Sequence, residues 1–158
     1  MKKYDGKKLI ETVMMTEEKA AELYKRFADE VKDGNAKELF LNLSKDEERH
    51  KNMYKNILDK LPNDGQVEIS DDDLEFIGLL TNSNLFVNEK VKSRYMRSDA
   101  LVVAGKIESD SVIFYSQLVK LFPNTAKEEF DIILKEEKKH LKKVNDSQYL
   151  EVLPSLGL

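Results

Sequence analysis

Two segments of the chain place a glutamate three residues before a histidine, Glu47-x-x-His50 and Glu137-x-x-His140, and the chain has 2 histidines in all. In an α-helix, positions i and i+3 lie on one face, so each segment presents a carboxylate and an imidazole to the same point in space. Chance would give both histidines this neighbour with a probability on the order of one in a hundred. The pattern therefore favours metal ligation over the alternative of ordinary surface histidines beside lysines.

A further glutamate precedes each segment by about one helix and a turn. Glu17 comes 30 residues before Glu47, and Glu108 comes 29 residues before Glu137 (47 − 17 and 137 − 108). The ligand order repeats after 90 or 91 residues (137 − 47 and 108 − 17). Such a repeat predicts two helical hairpins related by an approximate two-fold axis, with the ligands converging where the hairpins meet. The predicted metal ligands are Glu17, Glu47, His50, Glu108, Glu137 and His140.

A tyrosine follows each upstream glutamate by seven residues, Tyr24 after Glu17 and Tyr115 after Glu108. Seven residues are close to two helical turns, so each tyrosine shares a face with its glutamate. The alternative to a role at the site is core packing, with the hydroxyl bonded to any acceptor. We include both tyrosines among the candidate site residues.

Four long amphipathic runs must position these side chains, with apolar residues at steps of three and four. The short connections at Asp33-Gly34-Asn35 and Pro123-Asn124-Thr125 predict antiparallel hairpins. Between the hairpins, Ser70 to Asp73 predict the N-cap of a short helix. The crossover over 62–98 is much longer than the usual connection between bundle helices, which predicts that the second and third bundle helices are parallel neighbours. We expect one all-α domain over 1–158, divided into a hairpin over 6–61, a crossover over 62–98, a hairpin over 98–147 and an apolar tail over 148–158.

Composition narrows the possible functions. The net charge is −4, from 26 basic and 30 acidic residues of interspersed sign, which does not favour nucleic acid as a partner. No run approaches the length of a membrane span and no apolar leader follows Met1, so we expect a cytoplasmic protein without a membrane partner. The absence of cysteine excludes disulfides, thiolate nucleophiles and iron–sulfur clusters. Any metal must therefore be held by oxygen and nitrogen.

The predicted ligands lie on the apolar stripes of their helices. Four buried carboxylates repel one another, and each uncompensated buried charge costs several kcal/mol. Two divalent ions would neutralise them. A set of carboxylates and imidazoles suits iron or manganese, although zinc would bind the same residues. Three of the four ligand glutamates, Glu17, Glu47 and Glu137, have an acidic neighbour. We expect these neighbours, Glu18, Glu48 and Glu136, to be exposed to solvent.

The pattern Glu17-x6-Tyr24-x2-Phe27-Ala28, followed by Glu47-x2-His50 and repeated in the second half, resembles the ferritin-like di-iron carboxylate proteins, and most closely their rubrerythrin-like branch. The resemblance covers about residues 8–61 and 98–147. It implies a ferritin-like four-helix bundle that binds two iron ions.

The resemblance also implies a role for each residue. Glu47 and Glu137 would bridge the two irons, and Glu17 and Glu108 would be terminal ligands. His50 and His140 would each cap one iron. Tyr24 and Tyr115 would donate hydrogen bonds to ligand carboxylates.

Two departures from that branch bear on function. The chain has no cysteine for a rubredoxin-like domain, so electrons would come from an external donor protein. The extra glutamate that rubrerythrins carry one turn after the third-helix ligand is replaced by Ser109-Asp110-Ser111.

We expect a di-iron redox protein that reduces hydrogen peroxide or dioxygen. The alternatives are a ferroxidase or iron-handling protein, and an interaction module with a structural metal site. The apolar tail favours a homodimer.

Overall fold

The computed structural model describes residues 2–82 and 94–155, and it confirms the all-α class. Helices make up the bundle, and two short strands lie at one end of it. The elements are β1 Lys2–Asp5, α1 Gly6–Glu30, α2 Gly34–Lys60, β2 Gln66–Ile69, α3 Asp71–Asn82, α4 Arg97–Leu121 and α5 Lys127–Ser155.

Local capping sets where the first hairpin begins and turns. The Asp5 carboxylate accepts a hydrogen bond from the Lys8 amide at 3.1 Å, and the Asp33 carboxylate accepts one from Ala36 at 2.7 Å. These bonds satisfy amides that a helix start leaves without intrahelical partners. Because only three residues separate α1 from α2, the two helices pack as an antiparallel pair.

The four long helices enclose a core that polar residues divide in two. α4 and α5 form the second hairpin, and the two hairpins pack together through α1 with α4 and α2 with α5. One apolar cluster includes Ile10, Ile57 and Phe114, and the other includes Phe27 and Leu101. The predicted metal ligands lie on the same helices between these clusters, so apolar packing encloses the site.

A two-stranded sheet that the sequence did not predict joins the chain start to the segment after α2. β1 pairs with β2 in antiparallel register, with Lys2 opposite Ile69 and Asp5 opposite Gln66. The turn before β2 requires Gly65, whose φ of 60° lies in the left-handed region, and its carbonyl accepts a 2.8 Å bond from the Gly6 amide. Strands of four residues carry too little alternation to be recognised in a sequence.

The predicted crossover is described only in part. The Ser70 hydroxyl accepts a bond from the Asp73 amide at 3.0 Å and caps α3, as predicted. Residues 83–93 of the crossover lie outside the described residues, so its route stays a prediction.

The last bundle helix is longer than predicted. α5 continues eight residues past the predicted end at 147, through Ser155 (155 − 147), so it includes most of the segment predicted as an apolar tail, 148–158. Tyr149 and Leu150 on this extension are exposed. No helix in the described part of the chain is long and apolar enough to span a membrane.

Candidate metal centre

The structure brings all six predicted ligands together from four helices. α1 contributes Glu17, α4 contributes Glu108, and α2 and α5 each contribute one Glu-x-x-His segment. Each of the six is at most 2% exposed, a depth at which charged residues almost always have partners. The buried set consists of Glu17, Glu47, His50, Glu108, Glu137 and His140.

These residues form two overlapping groups, each able to surround one ion. In each group, one ligand atom from every residue lies within 4.8 Å of the others. The first group is Glu17, Glu47, His50 and Glu137, and the second is Glu47, Glu108, Glu137 and His140. Glu47 and Glu137 belong to both groups, so their carboxylates stand between the two positions.

Both imidazoles turn the same ring nitrogen towards the carboxylates. His50 Nδ1 lies 2.8 Å from Glu137 Oε1 and 3.2 Å from Glu47 Oε2. His140 Nδ1 lies 3.4 Å from Glu47 Oε1 and 3.6 Å from Glu108 Oε2. The Nδ1 atoms are therefore the ones that face a bound ion.

Several atoms of this cluster lie close to polar neighbours but make no hydrogen bond of acceptable geometry among the described residues. They are both carboxylate oxygens of Glu137, Oε2 of Glu108 and Nδ1 of His140. A buried polar atom without a hydrogen bond lowers the stability of the fold by about 1–3 kcal/mol, and four such atoms close together are not expected in a packed protein core. Cations placed among them would satisfy all four, so the donor set fits a metal centre.

Without a cation, the cluster retains protons. Burial raises the pKa values of Glu17, Glu108 and Glu137, and repulsion from Glu47 raises them further. Burial also opposes ionisation of Glu47, but close polar contacts with Glu17, His140 and His50 hold its pKa below the usual range. Protons shared among the carboxylates thus replace part of the charge that cations would supply.

The histidine pKa values move in the opposite direction from what burial alone would produce. Burial favours a neutral ring, yet the close carboxylates of Glu137, Glu17 and Glu47 raise the pKa of His50 well above its ordinary value. For His140, burial is outweighed by the bond to Asp46 and the close carboxylates of Glu108 and Glu47, which raise the pKa to about 12. Metal binding at Nδ1 must therefore displace protons.

The two tyrosines connect the halves of the bundle crosswise. The Tyr24 hydroxyl, on α1, donates to Glu108 Oε1 on α4 at 2.5 Å. The Tyr115 hydroxyl, on α4, donates to Glu17 Oε1 on α1. Each tyrosine therefore orients the glutamate of the other hairpin, which the spacing within each half could not show.

The expectation that all three acidic neighbours are exposed was wrong for Glu136. The side chains of Glu18 and Glu48 are 49% and 52% exposed and lie near Lys51. The Glu136 side chain is only 26% exposed, and its Oε2 lies 2.8 Å from His50 Nε2. Glu136 lies beside the α2–α5 contact, where it meets the histidine of the other hairpin.

Sequence reasoning also missed Asp46 and Tyr54. Asp46 Oδ2 lies 3.0 Å from His140 Nε2 and mirrors the contact of Glu136 with His50. A signal was available, because an acid precedes each Glu-x-x-His segment by one residue at an interval of 90 (136 − 46). Tyr54 is fully buried, one turn after His50, and its hydroxyl has no hydrogen-bond partner among the described residues.

The comparison with known families agrees with this geometry. The sequence model of the rubrerythrin family matches residues 8–147, which include all four long bundle helices in whole or large part. The chain belongs to the rubrerythrin family. The chain matched no curated protein and no solved structure. In the segment Ser109-Asp110-Ser111 that follows Glu108, Ser111 is buried on α4 one turn after that glutamate.

Proposed function

We propose that this member of the rubrerythrin family holds two iron ions and uses them to reduce hydrogen peroxide or dioxygen with electrons from an external donor protein. The observation that carries the proposal is the pair of overlapping four-residue groups that share Glu47 and Glu137. If the two groups had only one carboxylate in common, the arrangement would also suit a site for a single ion. Two shared carboxylates, with one further glutamate and one histidine on each side, suit two ions held close together.

Each side chain has a task in this proposal. Glu47 and Glu137 would bridge the two ions, Glu17 and His50 would complete one position, and Glu108 and His140 would complete the other. Four carboxylates balance the charge of two divalent ions, which removes the electrostatic cost of burying the set. The members of the set come from all four long helices, so metal binding would also join the two hairpins.

The residues around the site orient the terminal glutamates and exclude water. The hydroxyls of Tyr24 and Tyr115 each hold one oxygen of a terminal glutamate, which leaves the other oxygen for a metal. Apolar clusters on both sides of the carboxylates exclude bulk water. A water-poor site strengthens the electrostatic interactions that hold the ligands in place.

The chemistry needs a two-electron store. Two ferrous ions held by these residues would supply one electron each, enough to convert hydrogen peroxide and two protons to two molecules of water without release of a radical. The chain has no cysteine and so holds no iron–sulfur or rubredoxin-like centre of its own. The two electrons would therefore be returned by the external donor.

The test is stopped-flow oxidation of the anaerobically reduced, iron-loaded protein. Mixing with hydrogen peroxide is expected to oxidise the site much faster than mixing with air-saturated buffer, because two electrons suffice to cleave the O–O bond of peroxide, whereas dioxygen needs four to reach water. The opposite order of rates would favour the ferroxidase or oxidase alternative. Equal and negligible rates with both oxidants would contradict a redox function and favour the structural metal site.

Ser111→Glu extends this experiment. A carboxylate at this buried position of α4 would restore the group that rubrerythrins carry there. We expect the variant to raise the peroxide rate relative to the dioxygen rate, because an added carboxylate stabilises the ferric state. Ser109→Glu, on the more exposed side of α4, is the matched control and should leave the ratio unchanged.

A further inference from the structure

The two histidines are connected to each other on the outer side of the site through a single arginine. Arg49 Nη2 donates to Asp46 Oδ1 at 3.0 Å and to Glu136 Oε2 at 2.8 Å. The other oxygen of Asp46 lies 3.0 Å from His140 Nε2, and the same oxygen of Glu136 lies 2.8 Å from His50 Nε2. We call Arg49, Asp46 and Glu136 the Arg49 network.

From this geometry we infer that Arg49 is a positioning residue that fixes both histidines at once, so that their Nδ1 atoms face the metal positions. The inference rests on the proposed metal-binding function, and it goes beyond it by assigning one residue control over both ion positions. This positioning role requires the acids at positions 46 and 136 and the arginine between them.

The direction of the hydrogen bonds follows from chemistry. An ionised carboxylate can only accept, so a histidine nitrogen that bonds to Asp46 or Glu136 must carry a proton. With the proton on Nε2, a neutral imidazole has its lone pair on Nδ1, which is the atom that faces the buried glutamates. Partners of this kind on the far side of a ligating histidine fix its tautomer and ring orientation, and their loss costs about 10–100-fold in metal affinity.

Arg49 keeps the two acids in place. Both acids are partly exposed, at 32% for the Asp46 side chain and 26% for Glu136, and an open pocket of about 220 Å³ reaches Asp46. Without a cation between them, these carboxylates could turn to solvent and release the histidines. Asp46 lies on α2 and Glu136 on α5, so the arginine also joins the two helices that carry the Glu-x-x-His segments.

The chain provides a matched control for this residue. Lys139 occupies the position equivalent to Arg49 in the second segment, at the repeat interval of 90 (139 − 49), and it is also exposed. A general effect of surface charge near the site would be similar for both positions. Only Arg49 makes the two bonds of the network, so positioning predicts an effect of Arg49→Met that Lys139→Met does not share.

The sign of the effect separates positioning from simple electrostatics. Removing a positive charge near the site would, through Coulomb attraction alone, make a cation bind more tightly. Loss of positioning makes it bind more weakly. The experiment is a Zn²⁺ titration of the full chain against a chromophoric chelator, with circular dichroism to verify that each variant is folded.

For Arg49→Met we expect both Zn²⁺ affinities to fall by about tenfold or more, while Lys139→Met leaves them unchanged. Asp46→Asn and Glu136→Gln should each weaken mainly one of the two, because each acid holds one histidine. Affinities for Arg49→Met that equal or exceed those of Lys139→Met would overturn the inference. A wild-type chain that binds no Zn²⁺ would instead contradict the proposed metal function itself.

A second readout detects the histidine geometry directly. With only two imidazoles in the chain, nuclear magnetic resonance of the Zn²⁺-loaded protein should show two Nε2-bound protons that exchange slowly with solvent. In Arg49→Met both protons should exchange faster, although the overall fold is retained. Slow exchange of both protons in this variant would show that the network does not hold the rings.

Discussion

Tyr24 on α1 and Glu108 on α4 come from different hairpins, yet the tyrosine hydroxyl donates to the carboxylate at 2.5 Å inside the bundle. Tyr115 returns the same contact to Glu17. Each hairpin therefore holds a candidate ligand of the other. The metal positions and the hairpin interface depend on the same bonds, which makes interface stability and metal affinity experimentally linked.

Tyr24→Phe tests this relationship. The substitution removes the hydroxyl and leaves Glu108 Oε1 buried without its donor, so we expect the free energy of unfolding of the metal-free protein to fall by about 1–3 kcal/mol. Chemical denaturation followed by circular dichroism measures this change. Tyr149→Phe removes an exposed hydroxyl and is the control that should have little effect.

Tyr54→Phe provides the contrast within the same core. The Tyr54 hydroxyl has no hydrogen-bond partner among the described residues, so its removal should leave the metal-free protein as stable as before or more stable. A loss of stability as large as that of Tyr24→Phe would mean that the Tyr54 hydroxyl does have a partner.

The dependence of stability on pH should differ between the metal-free and metal-loaded proteins. The raised pKa of His140, about 12, stabilises the fold fully below the ordinary histidine pKa of about 6.5, and this contribution is lost as pH rises towards 12. The metal-free protein should therefore lose stability between about pH 6.5 and 9. Metal binding releases these protons from the folded state, so the loaded protein should gain stability only as pH rises to about the ordinary histidine pKa of 6.5, and its stability should change little above it.

Thermal unfolding at several pH values, with and without metal, measures both trends. At the acid end, the bond from His140 lowers the pKa of Asp46 to about 2, so the stability that this bond contributes is present above about pH 4 and is lost as pH falls towards 2. A metal-free protein whose stability rises steadily from pH 6.5 to 9 would contradict the protonation described for the cluster.

Helical spacing was sufficient to predict the long helices and to select six candidate ligands that the structure brings together. Glu47 and His50 are separated by one turn, so forming the helix places them on one face without further information. The partners across helices could not be predicted in the same way. Which tyrosine meets which glutamate, and that Glu136 turns to His50, depends on how the hairpins rotate and pack against each other.

Assembly remains a prediction, and we expect a homodimer. Tyr149 and Leu150 are 66% and 64% exposed on the last turns of α5, and a second copy could cover these apolar side chains. Light scattering should give a mass near twice the 18.3 kDa of one chain. Leu150→Glu should shift this mass towards the monomer. A mass near that of 24 subunits would contradict the dimer and favour an iron-storage shell.

The central claim is that the six buried residues bind two metal ions per chain, and elemental analysis after anaerobic iron loading tests it most directly. We predict close to two irons per wild-type chain, a sharp decrease for Glu47→Ala, whose carboxylate belongs to both groups, and no change for its exposed neighbour in Glu48→Ala. One iron per chain would contradict the two-ion arrangement, and a value near zero would contradict the metal centre altogether.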